Sequence, residues 1–264
     1  MKDSIILFIS VIVMAFITPH LTAEENDPSG REIIMMVDNR PDGEDIKTTL
    51  HMTLINKRGR KRERTIVSYS KEYGKDTKSI MQFMKPADVK GVGFLSWEYD
   101  DQTKNDDRWL YLPALKKVRR IAGSSKNDYF MGTDFTYDDM GDRSVDEDEH
   151  TLLREEEIDG IKCWVVESVP KSDDDMYSKT IKWIRQDALI AHKVEYYDRQ
   201  GALLKTLTTQ DVRKHQGYWT ILRMEMNNIQ ENHRTILEME EVEYDLGISD
   251  NLFRVSNLEK GRLK

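Results

Sequence analysis

The histidines are the first residues to consider for chemistry, because imidazole acts both as a general base and as a metal ligand. Beyond residue 23 they are His51, His150, His192, His215 and His233. No pair has the spacing of a metal site, and they are scattered over separate predicted strands. We therefore interpret them as surface residues or hydrogen-bonded sheet residues, and we expect no metal at any of them.

Two acidic segments resemble a metal site only superficially. Residues 100–107 are rich in aspartate, as a calcium loop is, but Asn105 occupies the sixth position, where such a loop needs glycine. Tyr111 stands where the bidentate glutamate would be. We interpret this segment as a hairpin tip in water, and residues 146–149 in the same way.

The remaining chemical motifs are incomplete. Gly91 and Gly93 lack the third glycine and the following helix of a dinucleotide-binding site. No serine lies in a nucleophile-elbow motif. Cys163 is the single cysteine, so it forms no intramolecular disulfide, and its place in the apolar run 161–166 predicts a small core residue. We predict no catalytic residue and no cofactor, and hence a protein that is not an enzyme.

The charge balance argues against nucleic acid as a partner. The formal net charge is -8 at pH 7, whereas binding a phosphate backbone requires a concentrated basic face. The basic run at residues 57–64 (KRGRKRER) has no interleaved aromatic residues. It is typical of a solvated hairpin tip, and as a binding site it would suit an anionic membrane surface or an acidic partner.

Most of the chain alternates polar and apolar residues with the period of a β-strand. The turn between residues 151–158 and residues 161–169 is a strong hairpin signal. Near the start, Ser29 and Glu32 have capping-box spacing and predict a short helix. Regularly spaced strands without a linker or an internal repeat predict one antiparallel sheet, with residues 24–264 as a single domain.

Short strands in the middle of the chain have apolar residues on both faces. Leu95 and Trp97 share one face of their strand, and in the next strand Trp109 and Tyr111 share a face opposite Leu110. Such a sheet needs a core on one side and a second apolar partner on the other. The 5 tryptophans and 13 methionines are, as a set, typical of a site that accepts variable apolar shapes, although each residue alone fits an ordinary core.

Residues 123–140 form the least strand-like apolar part of the chain. A loop this rich in aromatic residues must bury them against something. Two interpretations stay open: a fixed wall packed on the sheet, or a lid over the mouth of a cavity, whose motion Gly123 and Gly132 would allow. The candidate lid residues are Tyr129, Phe130, Met131, Phe135 and Tyr137.

A resemblance to a known family is carried by three segments: KPADVKGVGFLSWEY, DRWLYLPALKKVRRIA and FMGTDFTYDDM. They resemble the periplasmic outer-membrane lipoprotein-sorting proteins of the LolA/LolB type, in the branch often encoded beside RND-type exporters. The resemblance runs from about residue 30 to about residue 258. It implies a mainly β fold: a single curved antiparallel half-barrel with an N-terminal helix and short helical lid segments. It also implies an apolar cavity for acyl chains, for which the candidate lining residues are Leu95, Trp97, Trp109, Leu110 and Tyr111.

The N-terminal residues predict an exported protein. Lys2 precedes an apolar run, residues 5–17, which is too short to span a bilayer comfortably. A small-residue cleavage site ends at Ala23, so we expect residues 1–23 to be a cleaved signal peptide. No cysteine follows that could carry a lipid. The expected product is a soluble periplasmic protein without a lipid anchor.

With the family resemblance, these observations predict a monomeric periplasmic carrier or chaperone. It would sequester the acyl chains of lipids or lipoproteins for transfer toward the outer membrane. Its partners would be those acyl chains, together with an inner-membrane RND-type exporter or an outer-membrane acceptor. The alternative is a ligand-sensing or accessory interaction module of an RND-type exporter, or of an envelope signalling system, on the same fold.

Overall fold

The computed structural model describes residues 27–101, 103–260 and 263. The predicted signal peptide, residues 1–23, lies outside this part of the chain. Across the described residues, no helix combines the length and the apolar character needed to cross a bilayer.

One antiparallel sheet accounts for most of the described chain, as the sequence predicts. Its strands are β1 (Asp45–Ile55), β2 (Lys61–Tyr73), β3 (Asp76–Lys85), β4 (Gly93–Glu98), β5 (Asp107–Leu112), β6 (Lys117–Ile121), β7 (Asp148–Ile158), β8 (Ile161–Pro170), β9 (Tyr177–Arg185), β10 (Ala191–Asp198), β11 (Leu203–His215), β12 (Tyr218–Asn228) and β13 (His233–Tyr244). Their order in the sheet is β6-β5-β4-β3-β2-β1-β13-β12-β11-β10-β9-β8-β7. The sheet is therefore open, with β6 and β7 at its edges.

The described helical segments are short and lie at the connections. Residues 122–147 join the two edge strands and contain three 3-10 turns: Gly123–Ser125, Phe130–Gly132 and Val145–Glu147. After β13, a 3-10 turn (Asp250–Phe253) leads into a short helix, α2 (Val255–Glu259).

The predicted N-terminal helix is confirmed as α1 (Gly30–Asp38). The Ser29 hydroxyl accepts a hydrogen bond from the Glu32 backbone N–H at 3.3 Å, and the Glu32 carboxylate accepts one from the Ser29 N–H at 2.8 Å. This capping box satisfies N–H groups that the helix itself leaves unpaired. Ile33 is buried with Val166 and Ile184, which packs α1 against β8 and β9.

The sheet curves strongly around residues 123–140. The Tyr137 ring lies 5.8 Å from the ring of Phe94 on β4. Two residues later, the Asp139 carboxylate accepts a hydrogen bond from the Tyr177 hydroxyl on β9 at 2.8 Å. In a flat sheet β4 and β9 would be about 38 Å apart, so one short segment reaches both only because the sheet wraps around it. We call the side facing residues 123–140 the inner face.

The opposite, outer face is covered by the C-terminal segment. Phe253 and Leu258 are buried against Ile80 and Leu95. The Trp97 indole N–H donates a hydrogen bond to the Phe253 carbonyl at 2.9 Å. Both apolar faces predicted for the central strands are thus present. Residues 123–140 cover the inner face, and the C-terminal segment covers the outer face.

A β-bulge in β13 shapes the inner face. The pairing of β13 with β1 skips Glu240, which is the extra residue of the bulge. One extra residue reverses the alternation of side chains along the strand. Met239, Val242 and Tyr244 consequently all line the inner side of the sheet.

Candidate functional site

Four of the five predicted cavity residues lie on the outer face. They pack beneath the C-terminal segment with Phe253 and Leu258; these four are Leu95, Trp97, Trp109 and Tyr111. Leu110 lies on the inner face instead, so the five residues do not line one cavity. The alternation along each strand is as predicted, but the sheet curves so that the face with Trp97 and Trp109 is the outer one. The prediction that all five residues line one cavity is therefore corrected.

Leu110 and the predicted lid residues meet on the inner face. The Phe130 side chain is fully buried, with ring centroids 5.2 Å from Phe94 and 6.1 Å from Phe83. Phe135 and Tyr137 are buried in the same cluster, and Met131 packs against it. In this structure the segment fills one half of the inner face with its own side chains.

A buried lysine holds this segment to the sheet. The Lys205 ammonium on β11 donates hydrogen bonds to the Asp139 carboxylate at 2.6 Å and to the Asp134 carbonyl at 2.8 Å. The rings of Tyr129, Tyr177 and Tyr196 surround it at 5.2–5.6 Å. Burial lowers the pKa of Lys205, and the neighbouring Asp139 carboxylate opposes that shift. A buried cation is tolerated only where such partners exist.

Further polar contacts fix the segment at other strands. The Asp134 carboxylate accepts a hydrogen bond from the Thr235 hydroxyl at 2.7 Å and lies 2.8 Å from His233 Nδ1, both on β13. The Arg64 guanidinium on β2 donates to the Met131 carbonyl at 2.9 Å. These contacts hold residues 123–140 against the sheet, and we call this segment the wall.

Beside this wall, the inner face contains an open cavity of about 280 Å³. Its volume lies just below the range of about 300–1,000 Å³ that is usual for small-molecule sites. The apolar residues of its lining are Ile46, Trp219, Ile221, Met224, Met239, Val242 and Tyr244.

One end of the cavity is acidic. Asp42, Glu72 and Asp142 line it, and the basic residues of the lining are Arg40 and Lys71. Partial burial, and then the Asp42 carboxylate beside it, raise the pKa of Glu72 to about 7. Behind Asp142, burial raises the pKa of Glu98 to about 8. The cavity therefore has an apolar body and an end whose charge changes near neutral pH.

Sequence reasoning missed this cavity because its residues carry only weak local signals. Met224, Met239 and Trp219 belong to the methionine and tryptophan sets that the composition singled out. The local signal of the bulge is the doubled glutamate, Glu240 and Glu241, which shifts the apolar alternation of β13 by one residue and brings Val242 onto the same face as Met239. Long-range curvature then decides which face becomes the inside.

The histidines and the cysteine take part in local structure. Among the described residues, no group of three or more His, Cys, Asp or Glu side chains is arranged to hold a metal. The nearest polar partners are Glu240 for His51, Ser168 for His150, Asp159 for His192, the Val242 carbonyl for His215 and Asp134 for His233. Cys163 is fully buried, and burial raises the pKa of its thiol to about 11.

Comparison with known proteins places the chain in a family. A family model described as "-like: Uncharacterized protein" matches residues 75–260. A DUF1329 family protein from Desulfovibrio piger has 35% sequence identity and a TM-score of 0.83, over 87% of this chain and 97% of that chain. The chain belongs to the DUF1329 family. A comparison with curated proteins finds no match to this chain.

Two further solved structures resemble this chain. A candidate outer membrane lipoprotein-sorting protein domain from Vibrio parahaemolyticus has 33% identity and a TM-score of 0.83, covering 87% of this chain and 98% of that chain. A LolA superfamily protein from Nitrosomonas europaea has 19% identity and a TM-score of 0.69, covering 87% and 99%. The predicted resemblance to the LolA/LolB type is confirmed, and the DUF1329 chain has the LolA-like curved antiparallel sheet.

Proposed function

We propose that this DUF1329 protein is a carrier that holds an acyl chain in the cavity beside the wall formed by residues 123–140. The observation that carries the proposal is the cavity itself: about 280 Å³, apolar along its body and open to solvent. Its place in a LolA-like sheet supports the same conclusion, since the Vibrio parahaemolyticus relative is described as a candidate lipoprotein-sorting domain.

The binding energy would come from removing hydrocarbon from water. Each methylene group buried contributes about 0.8 kcal/mol, and no covalent step or cofactor is needed. Methionine side chains are flexible, so Met224 and Met239 adapt to chains of different shape. The acidic end, near Asp42 and Glu72, would face the polar end of the ligand or water. Transfer would proceed toward whichever acceptor binds the acyl chain more tightly.

In the cell, such a carrier would work in the periplasm between the two membranes. The predicted signal peptide and the lipoprotein-sorting relative support this location. The acyl chain would enter the cavity, in the half of the inner face that residues 123–140 do not fill. Residues 123–140 would therefore not have to move. An inner-membrane RND-type exporter or an outer-membrane acceptor remains the proposed partner.

Filling the cavity tests this function. A Met239→Trp substitution adds volume inside the cavity, and we expect it to weaken binding of a fluorescent long-chain fatty acid by about tenfold or more. Met35→Trp adds the same volume on the exposed side of α1 and serves as the matched control. Equal affinities for the two variants, both folded, would place the ligand elsewhere or show that no acyl chain is bound.

A further inference from the structure

Exposed basic side chains are concentrated at one end of the sheet. The β1–β2, β3–β4 and β5–β6 turns all lie at this end, because these strands are consecutive antiparallel neighbours. We call this end the basic rim. Its exposed basic residues are Lys57, Arg58, Arg60, Lys61, Arg62, Lys85, Lys90, Lys116 and Lys117.

The three turns form one continuous surface. A side chain added at Gly91 in the β3–β4 turn would lie 3.3 Å from the Pro113 ring in the β5–β6 turn, so these two turns touch. Lys85 at the end of β3 pairs with Thr65 of β2, so the β3–β4 turn leaves the sheet beside the first hairpin. Six neighbouring strands give the rim a width of about 24 Å.

The basic side chains of the rim lack acidic partners among the residues that the structure describes. None of the nine makes an ion pair with a described residue, although most basic residues elsewhere do, as Arg143, Lys179 and Arg185 illustrate. The acidic residues in the same turns and strand ends are Glu63 and Asp88. This positive patch occurs on a chain with a net charge of -8, so it is a local feature and not a consequence of composition.

Apolar side chains project from the same end. Leu115, next to Lys116, is 62% exposed, and Met84, next to Lys85, is 38% exposed. Ile229, 47% exposed, lies in the β12–β13 turn, which adjoins the β1–β2 hairpin. The three turns of the rim contain no aromatic residue for stacking on bases. Flexible cations around projecting aliphatic side chains suit a lipid surface better than a nucleic acid.

We propose that the basic rim docks this protein on a bilayer surface that carries anionic phospholipids. Lysine and arginine would lie at the level of the lipid phosphates, and Leu115 would enter the interfacial region. Arg64, whose guanidinium binds the Met131 carbonyl, connects the rim to the wall formed by residues 123–140, so docking brings the walled end of the inner face to the membrane. The cavity lies toward the other end of the strands, where Ile46, Glu72 and Tyr244 line it. The proposal goes beyond the carrier function, because a protein can bind an acyl chain without docking and can dock without binding one.

Vesicle flotation with the full chain tests this docking. We expect the protein to float with vesicles of phosphatidylcholine containing about 30% phosphatidylglycerol, and not with pure phosphatidylcholine. The attraction is electrostatic, so about 0.5 M NaCl should release the protein. Equal flotation with neutral and anionic vesicles, or none with either, would overturn the proposal. Binding to heparin or DNA without binding to anionic vesicles would also overturn it and indicate a polyanionic partner.

Charge-reversal variants locate the docking surface. The hairpin variant K57E/R58E/R60E changes exposed side chains only and should weaken vesicle binding by about tenfold or more. The variant K75E/K162E/R213E makes the same charge change at the opposite end of the sheet and should stay within about twofold of the parent chain. If both variants lose binding equally, net charge and not the rim is responsible. L115D tests the apolar contact separately and should also weaken binding.

A fatty-acid titration of the hairpin variant separates docking from cargo binding. We expect its affinity for the fluorescent fatty acid to be unchanged, because the substituted residues lie outside the cavity. Loss of vesicle binding with unchanged fatty-acid binding supports the docking proposal independently of the carrier function. Loss of both in a folded variant would mean that vesicle binding occurs through the cavity, which contradicts the rim as a docking surface.

Discussion

Lys205 Nζ and Asp139 Oδ2 lie 2.6 Å apart, with the lysine side chain fully buried. This ion pair joins β11 to residues 123–140 across the inner face of the sheet. Asp139 also accepts a hydrogen bond from the Tyr177 hydroxyl on β9, and the same lysine binds the Asp134 carbonyl. The segment that the sequence leaves open as a lid or a fixed wall is therefore held by partners on strands that lie far from it in the chain.

Removing Lys205 should destabilise the protein strongly. Lys205→Met leaves the Asp139 carboxylate buried without its cation, so we expect the free energy of unfolding in urea to fall by about 3–5 kcal/mol. Asp139→Asn should lower the free energy of unfolding much less in the Lys205→Met background than in the parent chain. In that background it removes a buried charge that has already lost its partner.

The matched control is Lys179→Met. Lys179 lies 2.7 Å from Glu167, a similar distance, but both side chains are partly exposed. Water and salt screen such a pair, so its loss should cost about 1 kcal/mol or less. Similar losses for Lys205→Met and Lys179→Met would show that the inner ion pair does not anchor the segment.

Hydrogen exchange distinguishes a wall from a lid. The Phe130 N–H donates to the Phe135 carbonyl at 2.7 Å, and the Tyr137 N–H donates to the Asp128 carbonyl at 3.0 Å. As part of a wall, these amides should keep the same protection, within about threefold, when a fatty acid is added. A drop of about tenfold or more on adding the ligand would mean that the segment opens to admit cargo.

Glu98 should make stability depend on pH. Its side chain is 6% exposed, and burial raises its pKa to about 8, from a usual value near 4.5. Between these pH values the unfolded chain loses the proton and the folded chain keeps it, so the free energy of unfolding falls as pH rises from about 4.5 to about 8. Glu98→Gln mimics the protonated form and should remove about 2–4 kcal/mol of that decline between pH 5 and pH 8.5.

Glu63→Gln is the corresponding control, since Glu63 is exposed and lies in a strand end of the basic rim. Its pH profile should follow that of the parent chain. Urea unfolding at several pH values gives the comparison directly. A Glu98→Gln profile that parallels the parent profile would mean that Glu98 ionises normally in the folded state.

Local sequence rules account for the strands and for α1. The alternation that places Trp109 and Tyr111 opposite Leu110 is present in the structure, and so is the capping box of Ser29 and Glu32. These features depend on the period of the backbone and on neighbours a few residues away.

The site depends on relationships that local rules do not contain. Which apolar face becomes the inside is decided by curvature across the whole sheet, together with the docking of Phe253 and Leu258 on the other face. The bulge at Glu240 adds Val242 to the inner lining through the pairing of β13 with β1, whose residues are distant in sequence. For this reason Trp97 and Trp109, which lie within the family motifs, are on the face opposite Leu110 and not beside it.

Quenching of tryptophan fluorescence by a brominated long-chain fatty acid tests the position of the cargo most directly. Bromine quenches nearby indoles, and Trp219 lines the cavity, whereas Trp97 packs under the C-terminal segment. We predict saturable quenching near one ligand per protein that is largely lost in Trp219→Phe and retained in Trp97→Phe. Quenching that survives in Trp219→Phe and disappears in Trp97→Phe would contradict the account, because the acyl chain would then lie on the outer face.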